Sequence, residues 1–135
     1  MLSTISNLQV KAKYTLEFGT LYIYDYFVVA ILNEGIMLNK DVCLKEMLHF
    51  KKHFGDDIPF AYITIRKNSY SVDPTAYFTL RKAKNLKAFA IVSKKEIDFY
   101  NYKIEKSFFK QGNMKIFYET KSALKWVNKI MRIEM

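Results

Sequence analysis

Three apolar runs, Phe27–Leu32, Phe60–Ile65 and Leu86–Val92, are each followed by a stretch with helical character. Short, largely apolar runs rich in β-branched and aromatic residues suit strands buried on both faces. Helices between such strands make right-handed crossovers and align the strands in parallel. This alternation constrains the fold more than any other feature of the chain.

The remaining elements fit around it. Tyr14–Tyr24 shows partial alternation and pairs with Phe27–Leu32 as a hairpin across Asp25-Tyr26. A helix is predicted over Lys40–Phe54, capped by Asn39 and stopped by Gly55, with Leu44, Met47, Leu48 and Lys51 on one stripe widened by Phe50 and Phe54. Shorter helices are expected over Pro74–Lys82 and Asn101–Lys110, and a strand over Met114–Tyr118. Thr120 is placed to cap a last helix carrying Ala123, Leu124, Val127, Ile130 and Met131 at helical spacing. The expected order is β-β-α-β-α-β-α-β-α: a single α/β domain with a five-stranded mixed sheet and helices mainly on one face.

The strand patterns assign the faces. Ala61, Ile63 and Ile65 share one side with Ala88, Ala90 and Val92, and small residues suit close packing under helices. Phe60, Tyr62, Phe89 and Ile91 share the other, which is bulky and aromatic. With all helices on the first side, the second is an interface candidate, for a homodimer above all. The alternative is a cover formed by Leu2, Ile5, Leu8 and Val10.

Composition narrows the function. The single cysteine, Cys43, excludes an internal disulfide and a cysteine-based zinc cluster. No apolar run approaches the ~20 residues of a membrane span. The N-terminus lacks the basic and apolar regions of a secretory signal, so a cytoplasmic protein is expected. The net charge of +9 invites a nucleic-acid reading, but it comes from 19 scattered Lys and only 3 Arg. Arg is the residue suited to bidentate phosphate and guanine recognition, so nucleic acid is a weak alternative. His49 and His53 are spaced i, i+4, but no HExxH pattern or acidic cluster accompanies them, and no metal is expected. No nucleophile elbow or glycine-rich phosphate loop exists, so neither catalysis nor a cofactor is expected.

The stretch from Arg66 to Pro74 is the most individual part of the chain. It carries two cations, two hydroxyls and a phenol where a strand ends and a helix begins. Ligand sites in open α/β sheets lie at such places. Arg66 would bind an anion or carboxylate, Asn68, Ser69 and Ser71 would form hydrogen bonds, and Tyr70 would supply contact area. Asp73 and Pro74 start the helix as cap and first residue. The alternative is a capped connection with Arg66 paired to Asp73.

The element order, the Phe89-Ala90-Ile91-Val92 strand, and the Ser122–Val127 helix after Lys115-Ile116-Phe117-Tyr118 carry a family resemblance. Residues 14–131 resemble the SpoIIAA-like, STAS-type domains, in particular the small stand-alone bacterial versions, with residues 1–13 as an N-terminal extension. The resemblance implies a superhelical βα sheet and a non-enzymatic, regulatory role through protein–protein interaction. It also suggests binding of a small or lipid-like ligand; the alternative function is a binder of small apolar or anionic ligands with a pocket near residues 66–74. Signalling members carry a phosphorylatable residue at the start of the helix after the third strand, which makes Ser69 and Ser71 the candidate phosphoacceptors. Such members usually place an Asp directly before the acceptor; here Asp73 follows both serines.

Overall fold

The computed structural model describes residues 9–110 and 113–134. The first strands, β1 (Ala12–Leu16), β2 (Gly19–Ile23) and β3 (Phe27–Leu32), form an antiparallel meander. A two-residue strand β4 (Met37–Leu38) leads into helix α1 (Lys40–Phe54). Strand β5 (Phe60–Ile65) is followed by a second short strand, β6 (Ser71–Val72), and a 3-10 turn (Pro74–Ala76) that runs into α2 (Tyr77–Leu80). Then come β7 (Leu86–Val92), α3 (Glu96–Phe109), β8 (Asn113–Phe117) and α4 (Thr120–Glu134).

The main sheet has the order β1-β2-β3-β5-β7-β8, with β3, β5, β7 and β8 parallel. The mixed α/β architecture matches expectation, with six strands rather than five. The extra strand arises because 14–24 folds back on itself. Gly19 lets the returning strand lie close against β3: a Cβ there would stand 2.5 Å from the Ile31 carbonyl oxygen.

Strand order progresses in one direction, so the right-handed crossovers through α1, α2 and α3 all fall on one face. Helix α4 follows the last described strand. It folds back over the opposite face, against β5 and β7. This reverses the expected assignment of the faces. Phe60, Tyr62, Phe89 and Ile91 lie fully buried beneath the three-helix layer and are not an interface. The small-residue side, Ala61, Ile63, Ala88, Ala90 and Val92, is covered by α4 through Ala123, Leu124, Val127 and Met131. The larger layer has room for rings, whereas alanines let the single helix approach closely. Of the proposed cover, Leu2, Ile5 and Leu8 lie outside the described residues, and Val10 is exposed.

Helix α1 is capped as predicted: the Val42 N–H donates to Asn39 Oδ1 at 3.1 Å, and Gly55 ends the helix at φ 60°. Its buried stripe is Cys43, Glu46, Phe50 and Phe54, while Leu44 and Leu48 face solvent. Hydropathy alone placed the stripe one position off, because the buried Glu46 does not count as apolar. Thr120 opens α4, but its buried hydroxyl takes no partner.

Candidate functional site

Strand β5 grades in polarity along its three-helix face. Alternate residues Phe60, Tyr62, Thr64 and Arg66 run from an aromatic ring to a phenol, a hydroxyl and a guanidinium. The last of these stands just past the carboxyl end of the strand, where its N–H donates to Val92 O at the end of β7. Arg66 was expected to meet a ligand at the surface. Instead it is buried, and its partners come from α3. Its guanidinium donates to both oxygens of Glu105, Nη2 to Oε1 at 2.5 Å and Nη1 to Oε2 at 3.1 Å. Nη1 also reaches Asp98 Oδ1 at 3.3 Å. Asp73 is not its partner; that carboxylate accepts from the N–H and hydroxyl of Thr75 at 3.0 and 2.7 Å, capping the 3-10 turn that Pro74 opens.

The network continues on both sides. The Tyr77 hydroxyl donates to Glu105 Oε1 at 2.6 Å, and Ser93 donates to Asp98 Oδ2 at 2.6 Å. Tyr70 lies with its ring 5.8 Å from the Arg66 guanidinium, and its hydroxyl is 3.3 Å from Thr64 Oγ1. Burial is the largest single influence on Arg66 and opposes its charge, but the hydrogen bonds with Glu105, together with the electrostatic effects of Tyr70, Tyr77 and Glu105, outweigh it and hold the guanidinium protonated. Burial and the neighbouring Glu105 push the Tyr77 phenol well above its usual range.

A second buried acid lies deeper on the same face. Glu46 is fully buried and accepts from the Tyr62 hydroxyl at 2.5 Å, while its other carboxyl oxygen takes no partner. Burial pushes its carboxyl up to about 8, against the opposing effect of the Tyr62 hydrogen bond. It is therefore largely protonated at neutral pH, which avoids an isolated buried charge.

Residues 66–74 form an ordered segment rather than a loose loop. Strands β4 and β6 pair in parallel, Met37 with Ser71 and Leu38 with Val72. The Gly35 N–H donates to Ser69 O at 2.8 Å, and Asn68 Nδ2 to Leu32 O at 2.9 Å. The Ser69 N–H donates to Glu34 Oε1 at 2.6 Å, and Lys95 Nζ donates to Ser69 Oγ at 2.8 Å. Ser69 and Ser71 are both exposed.

Between this segment and α3 lies a cleft of about 330 Å³. Arg66 and Glu105 form its floor, Tyr70–Val72 and Pro74 one wall, and Ile97, Asn101 and Ile104 the other. The isoleucines are 59% and 54% exposed and flank the inward stripe of the helix. The arrangement places apolar contact area around a rigid charged floor.

Sequence reasoning identified Arg66, Ser69, Tyr70 and Ser71 but not Asp98, Glu105, Ile97 or Ile104. The helix was expected to begin near Asn101; it starts at Glu96. With that start, Asp98, Tyr102, Glu105 and Phe109 share the inward stripe, and an acid on such a stripe is the missed signal. The histidines serve packing: the Tyr14 hydroxyl is 2.7 Å from His53 Nε2, and the His49 ring lies 4.2 Å from that of Tyr14. Among the described residues, no three His, Cys, Asp or Glu side chains group to hold a metal ion. None of the described helices is long and apolar enough to cross a membrane.

The chain is similar in structure to an uncharacterised DUF3478-family protein from Shewanella loihica PV-4 with a SpoIIAA-like fold. The likeness has a TM-score of 0.52 at 14% identity and covers 86% of this chain and 90% of that one. The fold of this chain is thus SpoIIAA-like. No protein-family model and no curated protein matches it.

Proposed function

We propose that this chain is a non-catalytic interaction domain, regulatory in role, that recognises a protein partner through the cleft between residues 70–74 and α3. The carrying observation is the pair of exposed isoleucines, Ile97 and Ile104, beside a floor held rigid by the Arg66–Glu105 pair. A partner's apolar side chain would fill such a cleft against preorganised walls, the arrangement that concentrates binding energy in a few residues. Arg66 supports the site from below rather than contacting an anion. One guanidinium faces two carboxylates there, so an anionic ligand would meet excess negative charge.

Ser69 is the better of the two candidate phosphoacceptors. Lys95 already reaches its Oγ, so a phosphate would find a cation in place, although Glu34 stands beside its amide. Ser71 has Asp73 two residues on.

Affinity capture from the native host tests the reading. Wild-type protein should retain a defined partner that reconstitutes with purified components, and Ile104→Glu should lose it while keeping its melting temperature. Equal retention by both proteins contradicts the proposal. The cleft volume is at the low end for small molecules, which favours a small apolar ligand as the second reading. Native mass spectrometry of host-derived protein reads that directly, as a bound mass that Ile104→Glu abolishes.

A further inference from the structure

Among the described residues strand β8 ends the sheet, so one side of its backbone has no described strand beside it. The Ser93 N–H donates to Phe117 O at 2.9 Å, which turns the peptide groups of Phe117, Lys115 and Asn113 toward β7. Those of Met114 and Ile116 therefore point outward. The Tyr102 hydroxyl takes the Met114 carbonyl at 2.7 Å. Ile116 presents both its N–H and its C=O at the open edge. An edge of this kind is a template for a further strand.

The edge lies in a trough of about 600 Å³, bounded by Phe99, Tyr102 and Lys106 of α3 on one side and Trp126 of α4 on the other. Two aromatic rings and an indole offer apolar contact. Among the described residues the charged lining is entirely basic, Lys106 and Lys115, with no carboxylate. The ammonium groups stand 5.6 Å from the Tyr102 ring centre and 5.5 Å from that of Phe117. Neither makes an ion pair among the described residues. Lys103 and Lys110 extend the positive charge along the same helix side as Lys106.

We propose that the β8 edge is a second interaction surface, which takes an extended acidic peptide segment as an added strand. Backbone pairing at Ile116 sets its register. Acidic side chains meet Lys106 and Lys115, and apolar ones between them rest on the aromatic walls. A second copy of this chain is a poor occupant, because pairing β8 with β8 would bring lysines against lysines. Single-stranded nucleic acid could use the lysines and rings but would ignore the strand backbone.

The test is selection of a displayed library of random linear peptides on the full chain. Lys106 stands over Tyr102 on the three-helix side of the sheet and Lys115 over Phe117 on the α4 side, so enriched sequences should carry acidic residues an odd number of positions apart, one for each side. In amide-resolved NMR, a synthetic peptide of the consensus should shift the Ile116 amide and the Trp126 indole. The double variant Lys106→Glu with Lys115→Glu should weaken that peptide at least ~10-fold, since charge complementarity sets the specificity. These lysines are exposed, and an unchanged melting temperature will show that the variant is folded. Ile104→Glu, which alters the other cleft, should leave peptide binding intact. No enrichment overturns the proposal. So do enriched peptides indifferent to the charge reversal, or an oligothymidylate that binds the same residues more tightly than the peptide.

Discussion

The two faces of the sheet solve the same packing problem with different materials. The α4 face is an apolar layer, mostly of alanines, valines and isoleucines with the stacked Tyr24 and Phe27 rings, closed by one amphipathic helix. The three-helix face holds large rings and every fully buried acid of the described residues, Glu46 and Glu105, together with Arg66. Buried charge is weak as a source of stability but strict about geometry. The comparison teaches that the α4 face supplies cohesion, while the three-helix face gives up some cohesion for a rigid polar floor under the cleft.

The largest expected effect separates the faces at the ion pair. Glu105→Ala leaves the Arg66 guanidinium buried without its main partner and should destabilise the fold by about 3–5 kcal/mol. Adding Arg66→Met should recover much of the loss. Urea unfolding of both variants checks this; equal loss in the single and double variants would show that the pair is not the source. The pH dependence comes next. The Glu46 carboxyl is raised from its ordinary 4.5 to about 8, so the folded state holds a proton that the unfolded chain releases between those values. Its contribution is complete below about pH 4.5 and is lost as pH rises to about 8, with a slope of up to ~1.4 kcal/mol per pH unit. Glu46→Gln keeps an acceptor for Tyr62 and should flatten melting temperature against pH through that window.

On the opposite face, Ala90→Leu should cost about 1–3 kcal/mol, because α4 packs directly over the alanines. A neutral result in calorimetry would mean that the helix can lift away. The smallest effect is expected at the segment itself: Ser71→Ala should change stability by no more than ~0.5 kcal/mol, since its side chain is exposed and β6 is held through backbone bonds.

Much of this architecture was legible in the sequence. The apolar runs of β3, β5 and β7 declared themselves through composition, and Asn39, Gly55 and Asp73-Pro74 marked helix ends through local chemistry. The assignment of the faces was not legible. Alternation says which residues share a side, but among the described residues α4 links no two strands, so no crossover rule determines where it goes. The site was half legible for a related reason. Arg66 and Ser69 stand out where a strand ends, but Glu105 lies 39 residues away in sequence, and only the crossover through α3 brings it to Arg66. Exposed Ile97 and Ile104 read as ordinary core candidates until the helix phase is known.

The account rests on recognition at the cleft. A photo-crosslinking amino acid placed at position 104, and in a separate protein at the equally apolar, 72% exposed Leu48, measures this in the native host. The account predicts one discrete partner adduct from position 104 and none from position 48. No adduct at 104, or the same adduct from both positions, would contradict it.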